Sequence, residues 1–592
     1  MERSIGYRWL NGMIGTLFCL FLYGHIVKHI PYQLCELEHE SFFISDVETW
    51  RMLIKSAGGM MEGLCQYLTQ YLALPYIGSG LFLLPLLLLC PVTMCLLRSK
   101  WGDSGFCYVG AFGVTLFQLL VQYDFNYYLS GTLAMLGILA VLNLIMRIKP
   151  FAWQTGMFVL GIPIIAWLFG AVVTLYVGCG IILFFIPRKW IYTLLCPLCC
   201  FVLTLYIGYA SGYIDRISLF LSPKFYYHPL LEMPLAPWFS WAYPMLLLCV
   251  GRLFPLFGSS WSLKTRMGVM IGIWIVMAGG FLRYENKFRD TSNQILWRLN
   301  HASFQEDWQG MLDFLSTLPP LTNLLYMNYA NMALAQTGRL GDYAFHFHPH
   351  GLQALMAGSN RTLSAHLLMS DVYYTAGCIA EAQRHAFEAQ VATPRMCSIQ
   401  TLKRLVKTNL ILGHDAVAEK YLSLIEKTRF HKEWAQRYRR FLYHPQVLEA
   451  DTELGEKRRG LSLHNCFTMS EGWNGMLEDV LHANPNNRKA MEYLGVSYLL
   501  LKDLKGFRHF LDTYYETNGL HTLPISFQEG IVISHPNEVD VWNRFQVSSR
   551  VREQYAQYLE QWSKVRQMPG RKKHMEQLFG HTFWYYLMFT KI

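Results

Sequence analysis

Residues Pro31–Pro75 read PYQLCELEHESFFISDVETWRMLIKSAGGMMEGLCQYLTQYLALP, a polar interval between one hydrophobic run and a long series of others. The interval holds six acids, Glu36, Glu38, Glu40, Asp46, Glu48 and Glu62, against only Arg51 and Lys55, in a chain whose formal net charge is +10. One apolar run precedes it, at 9–30. Eight follow, at 76–97, 105–123, 126–146, 151–169, 171–187, 190–210, 238–257 and 267–283. Each approaches the ~20 residues that cross a bilayer. The pattern predicts a membrane frame of nine spans that holds an acidic segment on one side.

Composition divides the chain. Its 592 residues exceed what one core supports. Charged residues make up 16%, well under the ~25% of a soluble domain. The deficit lies before residue 284. Residues 1–283 therefore read as a transmembrane domain, with 31–75 as its acidic outer loop. Residues 284–592 read as a soluble helical domain. Eleven of the 14 cysteines precede residue 284, among them Cys196, Cys199 and Cys200, and read as small buried apolar residues. Cys378, Cys397 and Cys466 are too few for a disulfide framework.

Basic residues set the expected orientation. One set of loops carries ten bases, including Arg98, Lys100, Arg147, Lys149, Arg188 and Lys189, against Glu2 and Asp103. The opposite loops carry four bases against nine acids. This places the amino terminus in the cytoplasm and, with nine spans, residues 284–592 in the periplasm of a bacterial inner membrane. The parity depends on dividing the apolar stretch 151–187 in two near Gly170. Three loops then share the outer side: Pro31–Pro75, Gln122–Tyr128 with Asp124, and Ser211–Trp238 with Asp215. Within the first, Met60, Met61, Leu64, Leu68 and Tyr71 recur at helical spacing. They predict an amphipathic segment on the membrane surface.

Beyond residue 320 the sequence repeats itself. Tyr373, Gly377, Ala382, Ala386, Ala389 and Pro394 occupy the offsets of a tetratricopeptide repeat, and Leu494, Gly495 and Tyr498 those of another. Looser units surround Gly338 and Gly413, and Phe430–Trp473 is degenerate. The expectation is an all-α chain: a helix bundle followed by a solenoid of helical hairpins. Val547–Arg566 reads as a closing helix against which Trp584–Tyr585–Tyr586 docks, or with which they touch the membrane. Phe345–His350 carries three alternate histidines and reads as a loop. No phosphate-binding loop, hydrolase elbow or zincin motif is present, and no basic aromatic stripe points to nucleic acid.

Over much of 290–515 the chain resembles the tetratricopeptide family, which implies a concave surface for a protein or peptide partner. Through Gly58–Gly59, Gly63–Leu64, Tyr67–Leu68, Pro75 and Gly78 the whole chain looks like an uncharacterised family of Bacteroidota membrane proteins. The layout resembles C-type membrane glycosyltransferases: a first span, an acidic outer loop, many spans and an outer domain. That resemblance implies a lipid-phosphate sugar as donor, drawn from the membrane.

Two functions follow from these features. A transferase needs an outer carboxylate as general base or as ligand of a divalent metal, the one cofactor this chemistry suggests. The candidates are Glu36, Glu38, Glu40, Asp46, Asp124 and Asp215. If extended, 36–40 would place its three glutamates on one side. The alternative is a non-catalytic scaffold, in which the spans anchor a docking surface for envelope proteins. Transport fits least, because few ionisable residues lie within the spans. Carboxylates converging on one outer cavity would favour the enzyme, and dispersed ones the scaffold.

Overall fold

The computed structural model describes residues 2–101, 105–253, 263–289, 291–358, 362–393, 397–461, 472–515, 520 and 522–591. Pro394 and Cys466 lie outside the described residues. Among those described the chain is helical throughout, with a single isolated bridge between Tyr127 and Tyr227. It divides into two units, Met1–Gln294 and Ile295–Ile592, a boundary eleven residues beyond the one expected.

In the first unit, helices occupy the positions of the apolar runs. Four stretches are long and apolar enough to cross a membrane: Ile77–Ser99, Leu129–Met146, Phe151–Phe184 and Ile191–Ala210. The nine expected spans therefore reduce to these four on length and hydropathy among the described residues. The stretch Phe151–Phe184 is not straight. A straight helix of that length would extend ~50 Å. Instead the helix Phe151–Phe169 ends at Gly170, where φ is +81°, and a second helix runs Val173–Phe184. The second folds back on the first. Tyr176 donates to the carbonyl of Phe158 (3.1 Å), and the rings of Phe158 and Phe184 lie 5.2 Å apart. Only glycine suits Gly170, since a Cβ there would lie 3.2 Å from the Cα of Gly58 as well as meeting unfavourable φ.

Several buried polar side chains of this unit are paired with one another, which offsets the cost of an apolar surround. Gln118 and Gln122 both donate to the Thr132 hydroxyl (2.8 and 2.7 Å), and Ser240 donates to Gln118. Three helices, Gly105–Gln122, Leu129–Met146 and Ala236–Leu253, are tied by this network.

Residues 31–75 are not a loop. They fold as helices Pro31–His39, Val47–Ile54 and Gly59–Thr69. The helical turn at 31–39 spreads Glu36 and Glu38 around the axis, so the one-sided row of an extended segment does not form. The amphipathic segment also differs from expectation. Cys65 is buried, and Met61, Leu64 and Leu68 pack against the bundle core. On the other side of this helix, Gly63 leaves room for the Trp50 ring of the Val47–Ile54 helix, 2.6 Å from where a Cβ would lie. Cys196 and Cys199 face outward from the bundle on the candidate span Ile191–Ala210 rather than into the protein interior.

In the second unit, consecutive helices pair through one repeated turn. Six helices end at a residue in the left-handed region, and the next amide donates back five residues. The bonds are Asp307 to Ala302, Arg339 to Leu334, Cys378 to Tyr373, His414 to Asn409, Asp503 to Tyr498 and Val547 to Trp542, at 2.8–2.9 Å. This closes the helix carboxyl terminus. The left-handed residue is glycine at 338, 377 and 413, but Glu306, Lys502 and Gln546 at the other three. Tyr373 and Ala382 are both core residues. The stretch 430–461 is not featureless: it forms short helices Lys432–Arg439, Pro445–Glu449 and Leu454–Arg459. Closing helix Ser549–Val565 receives Trp584, whose ring lies 5.2 Å from Tyr555 and 5.8 Å from Tyr558.

Candidate functional site

A cavity of about 660 Å³ lies in the second unit. Its wall is built from i,i+3 and i,i+4 pairs, which share a helix face. The Leu363–Ala376 helix contributes Asp371, with Tyr374 buried behind it one turn on. The Ile399–Leu412 helix contributes Lys403, Arg404 and Lys407, and the Lys432–Arg439 helix Trp434 and Tyr438.

Charge is matched inside the groove. Arg404 Nη2 donates to Asp371 Oδ1 (2.6 Å), whose other oxygen accepts from Ser303 (2.9 Å), and the guanidinium lies 3.8 Å over the Tyr374 ring. Arg404 Nη1 is buried without a hydrogen-bond partner. Lys407 donates to both oxygens of Glu453 (2.8 and 3.1 Å), and the Tyr374 hydroxyl donates to the same carboxylate (2.7 Å). Burial opposes the charge on Lys407, but Glu453 and Tyr438 outweigh it and raise its pKa above the ordinary lysine value. Burial likewise works against ionised Glu453, and Lys407 and Tyr374 more than offset it, so its pKa falls. Both therefore stay ionised at neutral pH. Trp434 and Tyr438 stack at 4.1 Å, and Lys403 lies 4.5 Å from the Phe304 ring and 5.3 Å from that of Trp434.

The groove presents fixed charges and aromatic faces, with Lys403, Arg437 and Arg440 along its wall. Its third wall comes from the segment that sequence periodicity left as degenerate. The usable signal there was composition: Trp434, Arg437, Tyr438, Arg440 and Phe441 interleave bases with aromatics.

The six carboxylates singled out from sequence all lie in the first unit. Glu36 and Glu38 are buried around His39, with oxygens 3.9 and 3.8 Å from its ring nitrogens. Glu40 caps the Pro31–His39 helix through its backbone. Asp46 caps the next helix, accepting from the Thr49 amide (2.8 Å). Asp124 accepts from the Tyr227 hydroxyl (2.9 Å) and from Asn126. Asp215 is exposed. None of the six lines the groove or the apolar pocket of about 410 Å³ between the Phe151–Phe169 and Cys196–Ala210 helices.

The three segments expected on one side do meet. The Tyr128 amide donates to the Tyr226 carbonyl (2.8 Å), and the His228 amide to that of Asn126 (3.0 Å). Gln33 donates to the Gln122 carbonyl (3.1 Å), and the Tyr213 hydroxyl to that of Ser56 (2.9 Å). Sequence reasoning missed His25, buried on the first helix with Nε2 2.6 Å from Glu285 Oε2. The available signal was spacing: the ring of His29, one turn on, lies 4.4 Å from it.

A family model matches residues 6–590, nearly the whole chain. The chain belongs to a family of unknown function, DUF6057. No curated protein and no solved structure matches it. Membership in DUF6057 thus fixes kinship across both units and assigns no chemistry to either.

Proposed function

We propose that this protein is a multi-pass membrane protein whose carboxyl-terminal half, a tetratricopeptide-like solenoid, docks a polypeptide of the cell envelope. The observation that carries this reading is the groove of about 660 Å³, in which the Lys407–Glu453 pair is held ionised and aromatic faces alternate with cations. Nine spans, an amino terminus in the cytoplasm and a periplasmic solenoid follow from the distribution of basic residues. The fold-back at Gly170 supports counting 151–187 as two passes.

A second reading is a glycosyltransferase that takes a lipid-phosphate sugar at the outer face, with or without a divalent metal. It is favoured by the meeting of the three polar segments at one place, with Glu36 and Glu38 buried there. The apolar pocket of about 410 Å³ has the size and lining for a lipid chain.

One complementation experiment separates the two. In a strain lacking the gene, the double change Trp434→Ala with Arg437→Glu abolishes rescue on the docking reading. The quadruple change E36Q, E38Q, E40Q and D46N leaves rescue intact. The opposite result supports the enzyme, where loss of a general base lowers rate about 10²–10⁴-fold. Each variant is first checked for normal abundance in the membrane.

A further inference from the structure

His366, on the Leu363–Ala376 helix, faces His385 and Glu388, one turn apart on the Ile379–Ala392 helix. Three of their atoms converge. His366 Nδ1 lies 3.1 Å from His385 Nδ1 and 2.9 Å from Glu388 Oε2, and His385 Nδ1 lies 3.7 Å from that same oxygen. A triangle with these sides has a circumradius of about 1.9 Å. A point slightly out of its plane is therefore about 2 Å from all three atoms, the distance of zinc from imidazole nitrogen and carboxylate oxygen.

Protons cannot satisfy this arrangement. Arg384 Nη2, always a donor, lies 3.1 Å from His385 Nε2. If that nitrogen accepts, Nδ1 carries the proton of a neutral ring and donates to His366 Nδ1. The latter then turns a lone pair toward the Glu388 carboxylate at 2.9 Å, acceptor against acceptor. If His366 instead donates to Glu388, His385 Nδ1 must be unprotonated, and its Nε2 proton meets the guanidinium. Every assignment leaves one like-to-like contact. A cation at the common point converts all three converging atoms into ligands. Arg384 competes with it: its guanidinium pairs with Glu381 (2.7 Å) and with the other oxygen of Glu388 (2.5 Å), and metal binding moves this 41% exposed side chain off the His385 ring.

We propose that His366 Nδ1, His385 Nδ1 and Glu388 Oε2 bind a divalent transition-metal ion, zinc foremost. Two nitrogens and one oxygen suit zinc or its first-row neighbours rather than calcium or magnesium, which take oxygen. Three protein ligands leave a fourth position for water or for a group of a bound partner. The His385 ring is held by stacking on buried Tyr373 at 5.2 Å and 14°, which fixes its direction. Burial, aided by Arg384, pushes the His385 pKa down to about 4, and burial lowers that of His366, so both rings are neutral at pH 7 as ligands must be.

The test uses the full chain in detergent, purified without a histidine tag, stripped with chelator and then loaded with zinc or cobalt. Wild type is expected to retain one more equivalent of zinc than Glu388→Gln or His385→Ala. Its cobalt form is expected to show a tetrahedral visible spectrum that both variants lose. Affinity in the variants should fall at least ~10–100-fold, the effect known for outer-shell losses alone. Glu388 is partly exposed, so Glu388→Gln should keep the helical circular dichroism and melting temperature of metal-free wild type. Arg384→Gln, which removes the competing cation, should bind more tightly. Equal zinc retention by wild type and both ligand variants, or no cobalt spectrum in wild type, would overturn the site.

Discussion

Glu529 sits in the core of the second unit, its Oε2 accepting from the Phe583 amide (2.7 Å) while its own carbonyl accepts from the Trp584 indole (3.0 Å). Burial pushes its carboxyl up to about 8, and the Phe583 hydrogen bond only partly opposes this. A carboxyl with a raised folded pKa binds more protons folded than unfolded between the two values. Stability therefore falls as pH rises from about 4.5 to about 8. Glu529→Gln keeps the acceptor and removes the buried charge. It should raise the melting temperature at pH 9, by the equivalent of about 3–5 kcal/mol, and change it little at pH 4.5. A pH-independent effect would show that burial of the charge is not what governs this position. The same residue illustrates what a sequence conceals. Nothing around Ile525–Ser534 distinguishes Glu529 from a solvated acid, because its burial is made by a helix more than fifty residues away. Glu36 and Glu38 are similar: sequence identified the acids, but not that His39 lies between them.

The recurring turn explains which helices were legible. Where the left-handed residue is glycine, as at 377 and 413, periodicity and punctuation agree and the hairpin can be read directly. Where it is Glu306 or Lys502, the same turn forms without its sequence mark. At Gly413 no atom crowds a Cβ, so Gly413→Ala isolates the backbone penalty and should cost about 1–2 kcal/mol. Glu306→Gly should go the other way and stabilise by about 0.5–1 kcal/mol, the left-handed strain relieved less the unfolded-state entropy that glycine adds. Urea unfolding of the two variants measures both, and shifts of the same sign would refute the shared turn. In the first unit the elements were legible by hydropathy, including the break at Gly170. The acidic interval was not, because its helices are short and draw their order from the bundle beneath: Gly58 donates to the Trp167 carbonyl (2.9 Å), and Trp167 to that of Ile54 (3.0 Å).

At the scale of the molecule, an apolar helical half and a polar helical half were both evident from composition, and the division near residue 290 followed from where apolar text ends. The groove was not evident. Its Asp371–Arg404 and Lys407–Glu453 pairs join residues 33 and 46 positions apart, beyond any local pattern. The orientation proposed for the two halves is open to a direct check. Alkaline phosphatase fused after Ile592 should be active, and a cytoplasmic reporter at the same site silent. The reverse would invert the topology and place the groove in the cytoplasm.

Docking by the groove is the central claim, and photocrosslinking in intact cells tests it most directly. A crosslinking amino acid replaces Arg437, which is exposed at the groove, or Lys564, exposed on the closing helix, as a control. The account predicts one discrete adduct from position 437, absent from 564 and abolished when Trp434→Ala is added. The same adducts at both positions, or an adduct at 437 indifferent to Trp434, would contradict it.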